Sequence, residues 1–133
     1  MYLNYLKENE KTAFLKLAHI VANSDDEICE NEKIIIGSYC NEMGIDNISL
    51  NSEDISISDL SKEFSSVSSR KITILELMSV INANGEFKES EKNIIDELLQ
   101  NFKLETKFLE NVELWSKSLM TLIKQGTSLV LED

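Results

Sequence analysis

Apolar positions recur at helical spacing along most of the chain. Phe14, Leu17, Ala18 and Val21 follow an i, i+3, i+4, i+7 pattern, and so do Ile36, Tyr39, Cys40 and Met43. The pattern returns at Ile74, Leu77, Met78 and Ile81 and again at Ile95, Leu98, Leu99 and Phe102. No segment alternates with the period of two that a half-buried strand requires. Proline is absent, and Gly44 stands just past Met43, where a left-handed C-terminal cap would end a helix. These features predict an all-α domain of five to seven helices. A further stripe, Phe108, Val112, Trp115, Leu119 and Leu122, repeats nearly every 3.5 residues and predicts a C-terminal helix over about 105–125. That helix is either the last wall of the core or a seam for a partner helix. Leu129, Val130 and Leu131, beyond Gly126, either fold back or mark a contact surface.

Sliding the chain on itself by 59 residues aligns 23–36 with 82–95 without a gap, and seven of the fourteen positions are identical. Each copy reads as helix, short acidic turn, helix. The single domain, 1–133, therefore divides into repeat halves at about 8–44 and 67–103, two helical hairpins related by a pseudo-two-fold axis. Between them, 45–66 is a serine-rich connector in which Ile57, Leu60 and Phe64 keep helical spacing, so a short helix is expected over Ser58 to Ser66.

Charge narrows the function classes. The chain of 133 residues has 13 Lys+Arg against 24 Asp+Glu, a formal charge of −11, which opposes phosphate backbones and anionic lipid and suits cations or basic protein surfaces. Neither nucleic acid nor membrane insertion is expected, and no apolar run reaches the roughly 18 to 20 residues of a bilayer span. The amino terminus lacks a signal-like pattern, so the expected location is the cytoplasm. Residues 1 to 66 hold 13 acids and 5 bases, concentrated between Asp25 and Glu32. Two cysteines, Cys29 and Cys40, and one histidine are too few for a structural zinc site, and both cysteines read as reduced small apolar residues. His19 reads as a partly buried helix residue. With one histidine and isolated glycines at 37, 44, 85 and 126, nucleophile triads and phosphate loops are absent, and no catalysis is expected.

The acidic turns admit two readings. Oxygen-rich loops bind hard cations, but laying a twelve-position calcium loop on these turns puts Val21 and Val80 where its first aspartate belongs, so a working EF-hand is not expected. A looser cation site could draw on Asn23, Asp25, Glu27 and Glu32. Against it, a helix start carries partial positive charge that stabilises carboxylates without any metal. Cys29 with Glu32, and Lys88 with Glu91, keep the glutamate half of a capping box, so Glu32 and Glu91 are either caps or ligands.

Leu17 to Ile28, with Glu32 four positions on, resembles the signature of the TerB-like (tellurite-resistance B) family, a helix ending in A-x-A-D-G-x-I-x-x-x-E. A weaker second copy is typical of that family, and Asn84, Gly85, Glu86, Phe87 and Glu91 fill it here. The resemblance spans about Phe14 to Phe102, with Asp26 in place of the glycine and Asn84 in place of the second aspartate. It implies a duplicated cytoplasmic helical module linked to tellurite and other stress resistance and to metal-associated signalling. Position by position, it implies divalent-cation ligands at Asp25 and Glu32 and at Asn84 and Glu91, with Glu27 and Glu86 as supporting acids. Tellurite is itself an anion, so an acidic turn is not expected to capture it. The alternative is a module that recruits a protein partner through its acidic surface and terminal helix without metal.

Overall fold

Four helix starts in this chain are tied in one way, by a side chain three residues into the helix reaching back to the residue that precedes it. In the computed structural model, which describes residues 1–24, 29–48, 55–82 and 87–131, the helices are α1 (Glu8–Ala22), α2 (Glu30–Met43), α3 (Ile57–Ser61), α4 (Val67–Asn82), α5 (Glu89–Phe102) and α6 (Thr106–Leu131). A 3-10 turn at Leu3–Tyr5 precedes them, and no strand occurs among the described residues. The Lys7 N–H donates to Glu10 Oε1 at 2.8 Å, and the Cys29 N–H to Glu32 Oε1 at 3.0 Å. The Lys88 N–H donates to Glu91 Oε1 at 3.0 Å. At α4 two serines share the task, Ser69 N–H donating to Ser66 Oγ at 3.0 Å and Ser66 N–H to Ser69 Oγ at 3.3 Å. Each bond satisfies a backbone donor that the first helical turn leaves without an intrahelical partner.

The offset of 59 found in the sequence carries these pairs onto one another, Lys7/Glu10 onto Ser66/Ser69 and Cys29/Glu32 onto Lys88/Glu91. It also carries Glu30–Met43 onto Glu89–Phe102, the observed bounds of α2 and α5. Both helices close in the same left-handed conformation, at Gly44 (φ 68°) and Lys103 (φ 58°). The N–H of the next residue then bonds back, Ile45 to Cys40 O and Leu104 to Leu99 O, the six-to-one bond of a Schellman motif.

The all-α class holds. α4 is the central helix, packing against α1, α2, α5 and α6, while α3 bridges α5 and α1. Phe14, Leu17 and Val21 of α1 and Ile74, Leu77 and Ile81 of α4 are fully buried between the halves. Tyr39 meets Phe14 edge-on at 5.3 Å between ring centroids, and its hydroxyl donates to Glu76 O at 2.7 Å. Glu76, buried in α4, and Glu42 of α2 together take the Met1 amine at 3.1 and 2.9 Å.

The short connector helix spans Ile57–Ser61 and so ends earlier than Ser66. Beyond it the chain turns to bury Phe64 against Phe102, centroids 5.5 Å apart, and Ser65 N–H donates to Glu10 Oε2 at 3.1 Å. That bond fixes the connector to the start of α1.

The C-terminal helix runs to Leu131, six residues past the expected 125. Gly126 is passed through as an ordinary helical residue. Leu109, Val112 and Ser116 are buried against the body, but the core reading of the stripe fails at Leu122, which is 63% exposed. Leu129, Val130 and Leu131 do not fold back; they remain helical and exposed.

Candidate functional site

The two halves of the repeat touch next to their acidic segments. Ser24, at the entrance to the first turn, and Ser90, in the first turn of α5 after the second, lie with hydroxyl oxygens 3.2 Å apart. Asp25, Glu27, Asn84 and Glu86, four of the six sequence-predicted ligands, lie outside the described residues.

The remaining two candidates, Glu32 and Glu91, are each 2% exposed. Each commits Oε1 to the backbone N–H of its own N-cap residue. The capping half of the sequence reading therefore describes what these side chains do in the fold. Among the described residues, no group of three or more His, Cys, Asp or Glu side chains is gathered as a metal site.

Cys29 does more than fill space. Its sulfur accepts the Glu32 N–H at 3.4 Å, taking the place of the usual serine or threonine oxygen at an N-cap. Both cysteines are free. Burial, with Asp46 nearby, pushes the Cys40 thiol above its ordinary range, which suits an inert core thiol. His19 Nε2 lies 2.8 Å from Asn47 Oδ1, and the same oxygen accepts the Ile48 N–H at 2.9 Å. The histidine therefore pins the beginning of the connector.

A second feature lies between α2, α4 and α6. The first turn of α2, the last turn of α4 and the middle of α6 enclose an apolar groove of about 360 Å³, lined among others by Asn31, Ile35, Asn82, Leu119, Met120 and Ile123. Ser116 also lines it, and the Ser116 hydroxyl is buried with no hydrogen-bond partner among the described residues. Asn31 precedes Glu32, so the groove begins at the start of the helix that follows the first acidic turn.

No family model matches the chain, and no curated protein or solved structure matches it. Among the described residues, no helix is long and apolar enough to cross a membrane.

Sequence reasoning missed Glu10 and Glu76. Glu10 is buried yet held below the ordinary carboxyl pKa: burial raises it, but hydrogen bonds from the Lys7 N–H, the Ser69 hydroxyl and the Ser65 N–H outweigh burial. Its position three residues into α1 was the available signal, since it matches that of Glu32 and Glu91. Nothing in the local pattern marks Glu76, whose partners are 74 and 75 residues away in sequence.

Proposed function

We propose that this chain is a non-catalytic TerB-like module that binds a divalent cation between its two acidic turns. The observation that carries the reading is the Ser24 to Ser90 contact, which joins the entrance of one turn to the helix following the other. The donor types are carboxylate and amide oxygens, the chemistry preferred by calcium, magnesium and manganese. Asp25, Glu27, Asn84 and Glu86 would hold the ion, while Glu32 and Glu91 hold the backbone of each turn through their caps. The cytoplasmic stress-response setting follows from the TerB-like resemblance alone.

The test is thermal unfolding of metal-stripped protein titrated separately with calcium, magnesium, manganese and zinc. Saturable stabilisation by one cation, about 2.7 kcal/mol at one hundred times Kd, supports the site when Asp25→Asn with Glu86→Gln removes it. These substitutions leave the four capping side chains in place. Absence of any cation-specific shift in the unsubstituted protein overturns the reading.

A second reading is a metal-free protein-interaction module. The apolar groove between α2, α4 and α6 and the exposed end of α6 favour it. Under that reading the melting temperature ignores the cation series, and the functional surface lies on α6.

A further inference from the structure

The groove between α2, α4 and α6 has the dimensions of a small-molecule site. Its volume of about 360 Å³ stands at the lower end of the range such sites occupy, and clefts between bundled helices are a common place for them. At about 30 Å³ for a water-sized group in a liquid, it holds about a dozen non-hydrogen atoms. Ile34, Ile35, Leu119, Met120 and Ile123 make its walls apolar, and none of the described residues that line it is charged.

Ser116 is the anomaly at this groove. It is 5% exposed, and its hydroxyl is the one buried side-chain polar atom without a hydrogen-bond partner among the described residues. The usual solution inside a helix is a bond to the carbonyl four residues back. Thr121 and Thr127 of the same helix each donate to that carbonyl at 3.0 Å, and Thr73 of α4 does so at 2.9 Å. Ser116 makes no such bond to Val112, and it lines the groove. A buried hydroxyl left in this state destabilises the fold, and its donor is free for an oxygen that arrives from outside the chain.

We propose that the groove binds a small neutral amphiphile, an apolar body of about ten non-hydrogen atoms carrying one hydroxyl or carbonyl oxygen that pairs with Ser116. The apolar walls take the body. A charged head is excluded, because no described lining residue offers it a counter-charge and an unpaired buried charge is far more costly than a buried hydroxyl. An anionic head is further opposed by the chain's net charge of −11.

Met120 controls access to the hydroxyl. It stands one turn beyond Ser116 on the same face of α6, is 44% exposed, and has the unbranched, flexible side chain that adapts to irregular shapes. Its rotation opens the buried hydroxyl to the groove, a motion that exposed side chains make freely. Trp115, adjacent in sequence and half-buried, reports the event. None of the proposed cation ligands is among the described residues of this lining, so the inference holds whether or not a cation binds the acidic turns.

Titration of the full chain with 1-octanol, and separately with octanoate, tests the proposal, followed by Trp115 fluorescence and by the amide resonances of Ile35, Ser116 and Leu119. Saturable binding of octanol is expected, with octanoate weaker by about tenfold or more. Ser116→Ala should weaken octanol binding by about fivefold or more while raising the melting temperature, whereas a merely structural serine would change stability alone. Ile123→Trp, at an exposed position on the wall, should fill the groove and abolish binding with helix content intact by circular dichroism. Absence of saturable octanol binding by the parent overturns the proposal. So does Ser116→Ala that binds octanol as tightly as the parent, a result that would leave the groove as a seat for a protein side chain. Octanoate binding as tight as that of octanol overturns the neutral class of ligand.

Discussion

The hydroxyl of Ser24 reaches the hydroxyl of Ser90 at 3.2 Å, linking residues that are 66 apart in sequence and belong to different halves of the repeat. A half-buried hydroxyl pair of this kind contributes about 1 kcal/mol. A double-mutant cycle of Ser24→Ala and Ser90→Ala, read by urea unfolding, should give a coupling energy of about 0.5–1 kcal/mol. If a cation bridges the turns, the same cycle repeated at saturating cation should give a larger coupling. Equal coupling with and without cation would count against a shared site.

Gly44 and Lys103 occupy one conformation at equivalent helix ends, yet only glycine adopts it without strain. Lys103→Gly should therefore stabilise the domain by about 0.5–1 kcal/mol, and Gly44→Ala should destabilise it by about 1 kcal/mol. Thermal or urea unfolding distinguishes the two, since the substitutions are expected to have opposite signs. A Cβ at Gly44 meets nothing within 4 Å, so any loss there arises from the backbone and not from a clash.

Glu10 makes stability depend on acid pH. Its folded-state pKa lies below the ordinary 4.5, so the stability it contributes is fully present above that value. As pH falls below 4.5 and through the folded-state pKa, that contribution is lost. Glu10→Gln should cost about 1–2 kcal/mol at pH 7, because charge-assisted bonds from Lys7 and Ser65 are replaced by weaker ones. Urea unfolding at pH 7 and at pH 3 checks this: the deficit of the variant should shrink at the lower pH, and a constant deficit would assign the effect to packing.

Much of this architecture was legible because helical spacing, a proline-free chain and the 59-residue offset all point to the same elements. The Glu32 and Glu91 caps were visible as the acidic half of a box, and Gly44 was visible as a C-terminal cap. Lys103 was not, because lysine has no preference for a left-handed residue and only the repeat assigns it that place. Spacing overextends the connector helix, since Phe64 keeps helical spacing with Ile57 and Leu60 but is buried from a turn against Phe102. Leu122 fits a core stripe as well as it fits a seam. Periodicity reports which face of a helix is apolar, whereas what covers that face depends on where the rest of the domain ends. Of the candidate site, spacing identified the two turns and their caps. The contact of Ser24 with Ser90 could not be read, because the residues that join the halves carry no pattern of their own.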